Sequence, residues 1–233
     1  MAKDHPGSAP SFDGFARQYD EALHRGLVLS GETKEFFARE RIRILRNVMQ
    51  ERAFSPRRIL DFGCGTGGSI RYLLEIPGVQ SVTGVDVSEA SLSVAAAVHP
   101  HVRFCPPHSL ADDEQFDLIF ANGVFHHIQP GDRPSTLAWI RRRLAPGGWF
   151  VLWENNPWNI GTRWVMKRIP FDRDAIPLYP RATRRMLRAN GFQVVDQSFW
   201  FIFPAWLKFF RPLEPCLSRC AMGAQYQTVS VAA

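Results

Sequence analysis

The chain has 233 residues, a formal net charge of +6 and 45% hydrophobic residues, enough apolar mass for one α/β domain with a buried core. Its 28 basic residues are spread along the chain, and the longest cluster, Arg141-Arg142-Arg143, falls on an expected amphipathic helix and reads as a solvated face, so charge alone gives no nucleic-acid partner. Four cysteines, Cys64, Cys105, Cys216 and Cys220, lack the paired spacing of a zinc site, so no metal is expected and a reduced, cytoplasmic setting fits.

Residues 1–11 are rich in Gly, Pro and Ser, lack the apolar core of a signal peptide and read as a disordered lead-in. The remainder, 12–233, reads as a single domain. From Phe12 to Arg52 the pattern is helical in two pieces broken near Ser30-Gly31, with Phe36, Phe37, Ile42, Ile44, Leu45 and Val48 in an apolar stripe of helical period. Strands are then expected at Arg58 to Phe62, Val79 to Val85, Val102 to Cys105, Phe116 to Ala121 and Trp149 to Trp153. Helices are expected between them, near Ser69 to Glu75, Glu89 to Ala97 and Asp132 to Leu144. Strict alternation of strand and helix predicts a doubly wound parallel sheet. After Gly191 two strands follow without an ordinary crossover helix, Phe192 to Phe203 and Tyr226 to Val231. The most apolar stretch, Phe199 to Phe210, is about 12 residues long and holds Pro204 and Lys208, too short for a membrane span.

The run Ile59 to Gly68 passes from a buried strand straight into a helix, and its glycines permit a sharp turn with a ligand lying on bare backbone. Gly63, Gly65 and Gly68 also satisfy the spacing of dinucleotide-binding folds, with Asp86 placed as a ribose-binding acid. Asp61 separates the readings. A carboxylate two residues before the first glycine repels a pyrophosphate and favours a cationic ligand.

ILDFGCGTGGS and VTGVDVSEASL resemble the first two motifs of class I S-adenosylmethionine-dependent methyltransferases. The similarity continues through FDLIFANGVFHHI and LAPGGWFVLWE at the right separations. ENNPWN, PFDRDA and GAQY are similar to a bacterial small-molecule subgroup. The resemblance implies a Rossmann-like, seven-stranded mixed sheet with the last strand antiparallel, N-terminal helices and a helical insertion before the last strand. It implies that Asp61, Gly63, Cys64 and Gly65 line the methionine part of S-adenosylmethionine, that Asp86, followed by Val87, accepts the ribose hydroxyls, that Asn122 borders the cofactor, and that Tyr19 closes over it. Relatives often carry Gly-Asp-Ala after the third strand, where this chain has Pro107-His108-Ser109, leaving His108 or Ser109 to meet the adenine. S-adenosylhomocysteine is the expected product.

Methyl transfer from a sulfonium needs alignment and desolvation, and a base only where the acceptor must lose a proton. His126 and His127 follow the fourth strand at the sheet edge where ligands bind, so either serves as a candidate base or as pocket wall. Glu154, at the end of the fifth strand, is a third catalytic candidate or a solvated strand end. The expected reaction is methylation of a small, partly apolar acceptor, with oxygen favoured. Carbon or nitrogen methylation, a methyl-free reaction on the same fold, a non-catalytic cofactor-binding protein and a nicotinamide dehydrogenase are the rivals. The insertion 204–222 is expected to fold its apolar residues over the acceptor as a lid, with a dimer face, peripheral membrane contact or core packing as alternatives. Oligomeric state is not legible.

Overall fold

The computed structural model describes residues 31–166 and 175–232. The expected lead-in, the first helical piece with Tyr19, and all of PFDRDA except Ala175 lie outside them. Helix α1 (Lys34–Glu51) begins where Thr33 accepts a hydrogen bond from the Phe36 amide at 3.1 Å, satisfying an orphan donor of the first turn. It turns Ile42, Leu45, Val48 and Met49 inward.

Seven strands follow, β1 (Arg58–Phe62), β2 (Ser81–Val85), β3 (Arg103–Cys105), β4 (Phe116–Asn122), β5 (Leu144–Asn155), β6 (Phe192–Trp200) and β7 (Gln225–Ala232), with helices α2 (Ile70–Leu74), α3 (Glu89–Val98), α4 (Arg133–Arg142), α5 (Ile160–Met166), α6 (Pro180–Ala189) and α7 (Glu214–Leu217). They form one sheet in the order β3-β2-β1-β4-β5-β7-β6. The first five strands pair in parallel, and β7 runs antiparallel to both β5 and β6. The chain winds outward from β1 in one direction and then, through β4, in the other. The carboxyl ends of β1 and β4 therefore flank the crevice where such sheets hold ligands.

Successive residues of a strand feed opposite cores. Ile59, Leu118 and Val151 pack with α1 and α2 on one face; Leu60, Ile119 and Phe150 pack with Leu137 of α4 and Leu187 of α6 on the other. Burial on both faces explains why the central strands read as continuous apolar runs rather than as alternation.

Several expectations shift. β5 reaches from Leu144 to Asn155 because its start pairs with Phe116 before a register break. β6 stops at Trp200 rather than Phe203, since Phe201 turns to a left-handed φ of 63°. Helices α5 and α6 occupy segments that carried no helix expectation. Of the arginine cluster, Arg141 and Arg142 are exposed, but Arg143 is buried, its guanidinium 4.1 Å over the Trp139 ring and 3.4 Å from the Leu110 carbonyl oxygen. The cluster is thus only partly a solvated face. A planar cation that stacks on an indole can enter an interior that a hydrated ammonium would avoid.

Candidate functional site

The turn after β1 is fixed to the end of β2, where the amides of Gly63 and Cys64 both donate to the Val85 carbonyl at 2.8 and 3.0 Å. Asp86 completes the tie. Its carboxylate accepts from the Gly65 amide at 2.8 Å and from the Ser88 amide at 2.9 Å. Ser88 itself caps α3 through its hydroxyl, which accepts from the Ser91 amide, so Asp86 is not needed as that cap. Gly63 has φ +71°, and a Cβ there would stand 2.4 Å from Val124 Cγ2. The turn after β1 and the loop after β4 thus press together with no room for a side chain. Gly65 has φ +52° and open space where a Cβ would point. That opening lies over the crevice.

Asp61, at the crevice end of β1, is 2% exposed, and its Oδ2 has no hydrogen-bond partner among the described residues. Burial, and secondarily the neighbouring Asp86 charge, push its pKa up to about 7. An unpaired buried carboxyl at a ligand crevice is costly unless something positive arrives to face it. Cys64 is buried behind it, and burial with the two nearby carboxylates keeps its thiol protonated. It is a packing group rather than a nucleophile.

The loop after β4 brings the second set together. Glu154 is almost wholly buried, not a solvated strand end. Its Oε1 accepts from the Phe125 amide at 2.9 Å, and its Oε2 lies 2.6 Å from Nδ1 of His126. A carboxylate at that distance requires Nδ1 to carry the proton, which leaves Nε2 as the basic nitrogen of the neutral ring. His126 is 4% exposed; His127 is half-buried, with its ring centroid 4.1 Å from that of His126. The Ile176 amide donates to the His126 carbonyl at 2.8 Å. Opposite Glu154 on β7 stands Tyr226, whose hydroxyl donates to the Leu178 carbonyl and lies 2.7 Å from the Thr183 hydroxyl. Burial, and then the Glu154 charge, raise its pKa well above the ordinary tyrosine value. A cavity of about 260 Å³ adjoins this cluster, with Arg133, Leu178, Tyr179 and Thr183 in its walls.

A model of the methyltransferase domain matches residues 34–197. The chain belongs to that family. It is 30% identical over 133 residues to the ubiquinone biosynthesis O-methyltransferase of Bordetella pertussis, an alignment that covers 51% of this chain and 54% of that protein. The chain therefore spans about half the length of that curated relative. Among solved structures, a SAM-dependent methyltransferase from Archaeoglobus fulgidus superposes with a TM-score of 0.59 at 17% identity, covering 81% of this chain and 93% of its own. The plantazolicin methyltransferase BamL, solved with a desmethyl substrate analogue and SAH, gives 0.60 at 16% identity, covering 95% and 99%. These likenesses establish the fold.

The residues of this methyltransferase fit a sulfonium cofactor. Asp61 presents an unpartnered carboxyl oxygen, Gly65 leaves open space, and Asp86 stands at the end of β2 with part of its carboxylate accessible. Val87 is exposed at the rim and Asn122 ends β4 half-buried beside the crevice. His108 and Ser109 form a short 3-10 turn after β3, and both are exposed. The expected residues thus separate into two groups: Asp61, Gly63, Cys64, Gly65 and Asp86 around one turn, and His126, His127 and Glu154 around the loop that abuts it. Three contributors carry no signal in a single sequence. Val124 fills the space over Gly63, Lys34 donates from α1 to the Thr66 hydroxyl of the glycine turn at 3.2 Å, and Arg133 clamps the carbonyls of Ile128 and Ile176.

Proposed function

We propose that this methyltransferase moves a methyl group from S-adenosylmethionine to an oxygen of a small, partly apolar acceptor, with His127 taking the acceptor's proton. The observation that carries the reading is the buried Glu154–His126 pair, packed ring to ring against the half-exposed His127 in the loop that abuts the glycine turn. Support for oxygen comes from the chemistry of that loop, since a fixed imidazole pair serves an acceptor that must lose a proton. The Bordetella relative's name points the same way.

When bound, the cofactor supplies a methyl group on a positively charged sulfur that is already a good leaving group. The ionised form of Asp61 faces that positive end of the ligand, and Asp86 accepts the ribose hydroxyls while its bond to the Gly65 amide holds the turn in shape. Glu154 locks His126 through Nδ1, and His126 in turn fixes the plane against which His127 packs; both are positioning residues. With the methyl group supplied to the acceptor oxygen, His127 would take up the hydroxyl proton on its imidazole. The products are a methyl ether and S-adenosylhomocysteine, and the proton leaves from His127 to water.

The test uses cofactor labelled in its methyl group and a panel of phenols and hydroxy acids, with the labelled product located by mass spectrometry. His127→Ala is expected to lower kcat by about 10² to 10⁴ while leaving cofactor affinity unchanged. Normal turnover by a folded variant would reduce His127 to a wall of the pocket. Label on carbon or nitrogen would overturn the oxygen assignment.

A further inference from the structure

The insertion between β6 and β7 is folded inside out relative to its sequence pattern. It consists of a 3-10 stretch (Ala205–Leu213) running into α7, and it is the polar residues that hold it to the body. Glu214 is buried and accepts the amides of Phe201, Ile202 and Phe203 at 3.0 to 3.1 Å. Arg211 reaches Glu32 at 2.7 Å and covers the Phe36 ring, and Arg219 pairs with Asp196 at 2.7 Å. At the far end the Asn156 side chain donates to the carbonyls of Ala221 and Gly223. The entry is equally fixed, for Phe201 adopts a left-handed φ and drives its ring against Phe37 and Trp153, a conformation that a bulky residue keeps only where its surroundings impose it.

With its polar side spent on anchoring, the segment turns its aromatic side to solvent. Trp206 is 76% exposed and Phe209 86%, and Phe210 and Leu213 are also exposed. The backbone kinks at Leu207, between Trp206 and the pair Phe209 and Phe210, whose rings meet edge to face at 5.7 Å. Lys208 is exposed in the same stretch. Across 204–222 and the neighbouring 156–166, which is tied to it by the bond from Asn159 to the Met222 carbonyl, Arg211 and Arg219 are taken up by Glu32 and Asp196, Arg163 and Lys208 are exposed, and there is one acidic residue. That acid is Glu214, and it is turned inward.

We infer that this face docks on a lipid surface carrying anionic headgroups. Firmly anchored aromatic side chains on a segment whose exposed charges are Lys208 and, on the neighbouring segment, Arg163, with Glu214 turned inward, match the interfacial layer of a bilayer, where indole and phenyl rings enter the headgroup boundary and cations meet lipid phosphates. A second copy of the chain fits less well. Lys208 and Arg163 stand exposed on these two segments and the one carboxylate there is turned inward, so two copies brought together on this face would set like charges against each other. The insertion also contacts the start of α1, which reaches the glycine turn through Lys34. Docking there would present the crevice to acceptors dissolved in or adsorbed on the membrane, and it stands whether or not oxygen is the atom methylated.

The experiment is co-sedimentation of the full chain with vesicles of phosphatidylcholine alone and of phosphatidylcholine containing about one third phosphatidylglycerol. The chain is expected to partition onto the anionic vesicles. Trp206→Ser with Phe209→Ser should lower that partition at least about tenfold, and Lys208→Glu should weaken binding to the anionic vesicles only. Unchanged S-adenosylhomocysteine affinity would show each variant folded. Should the double variant fail to fold, lipids brominated on their acyl chains provide the second measurement. The fluorescence lost on going from the parent to Trp206→Phe must be quenched by them. A parent chain that stays in the supernatant, variants that partition like the parent, or a lipid-free dimer that the double variant turns into monomer would overturn the proposal. The last outcome would assign the face to self-association. A rise in the acceptor constant of the double variant, with no effect on vesicle binding, would return it to a lid.

Discussion

Asp61 should make cofactor affinity depend on pH in a way that few surface carboxylates do. In the ligand-free protein its pKa stands at about 7 against an ordinary 3.8, chiefly because it is buried and then because Asp86 is near. The sign follows from which form each state prefers. Neutral Asp61 suits the empty crevice, so its contribution to stability is complete below about pH 4 and is lost as pH rises through about 7. The cationic cofactor needs the ionised form, so binding expels a proton and weakens as pH falls below 7. With a bound-state pKa well under the working range, the apparent Kd scales as one plus the ratio of protonated to ionised Asp61. Between pH 7.5 and pH 6 that factor rises about eightfold, equivalent to about 1.2 kcal/mol. The ligand's ammonium becomes more fully charged over the same interval and acts in the opposite direction, so a net weakening is diagnostic. Calorimetry in two buffers of different ionisation enthalpy measures both the constant and the proton released. Asp61→Asn should bind more weakly at pH 7.5, lose the pH slope and melt at a higher temperature without ligand. A parent affinity that is flat or improves toward pH 6 would refute the assignment of Asp61 to the positive end of the cofactor.

Three further outcomes are expected. Asp86→Ala should weaken cofactor binding by about 2 to 4 kcal/mol, because the ribose contacts and the brace on the Gly65 amide go together; an unchanged constant in titration of the folded variant would leave Asp86 as a brace for the turn alone. Gly63→Ala should cost about 2 kcal/mol or more in urea unfolding, since it meets both a left-handed φ and Val124, whereas Gly65→Ala should lose cofactor affinity with less loss of stability because the space beside it is open. Gln227→Met should raise stability by about 1 to 3 kcal/mol, as both polar atoms of the buried Gln227 amide lack partners among the described residues; a lower melting temperature would reveal a buried water serving that amide.

What could be read from the sequence follows from how local its physical cause is. The turn after β1 is a local device in which strand, glycines and helix lie within ten residues, and its acids Asp61 and Asp86 sit at strand ends that periodicity marks. Fold and cofactor crevice were legible for that reason. Helix α6 was legible but not read: its four arginines stand opposite Pro180, Thr183 and Leu187, which recur at helical spacing and are buried. Glu154 and His126 lie 28 residues apart and become a pair only because β4 and β5 are neighbours in register. The sequence offers two histidines and a carboxylate at a sheet edge, and tertiary pairing then shows which histidine the carboxylate holds.

The insertion makes the same point in reverse. Its period separates polar from apolar residues correctly, and the usual rule then assigns the apolar side to the interior. That rule assumes an interior not yet filled. Here Phe36, Phe37, Phe201 and Trp153 already close the end of the α1-side core, while three backbone amides that follow the end of β6 need an acceptor. One carboxylate satisfies all three. Leaving those amides bare in a partly buried corner would cost about 1 to 3 kcal/mol each, about 3 to 9 kcal/mol together, which offsets the burial of two or three aromatics at roughly 1.5 to 3 kcal/mol each. The polar side is therefore drawn inward by Glu214, and the aromatic face turns outward as a consequence.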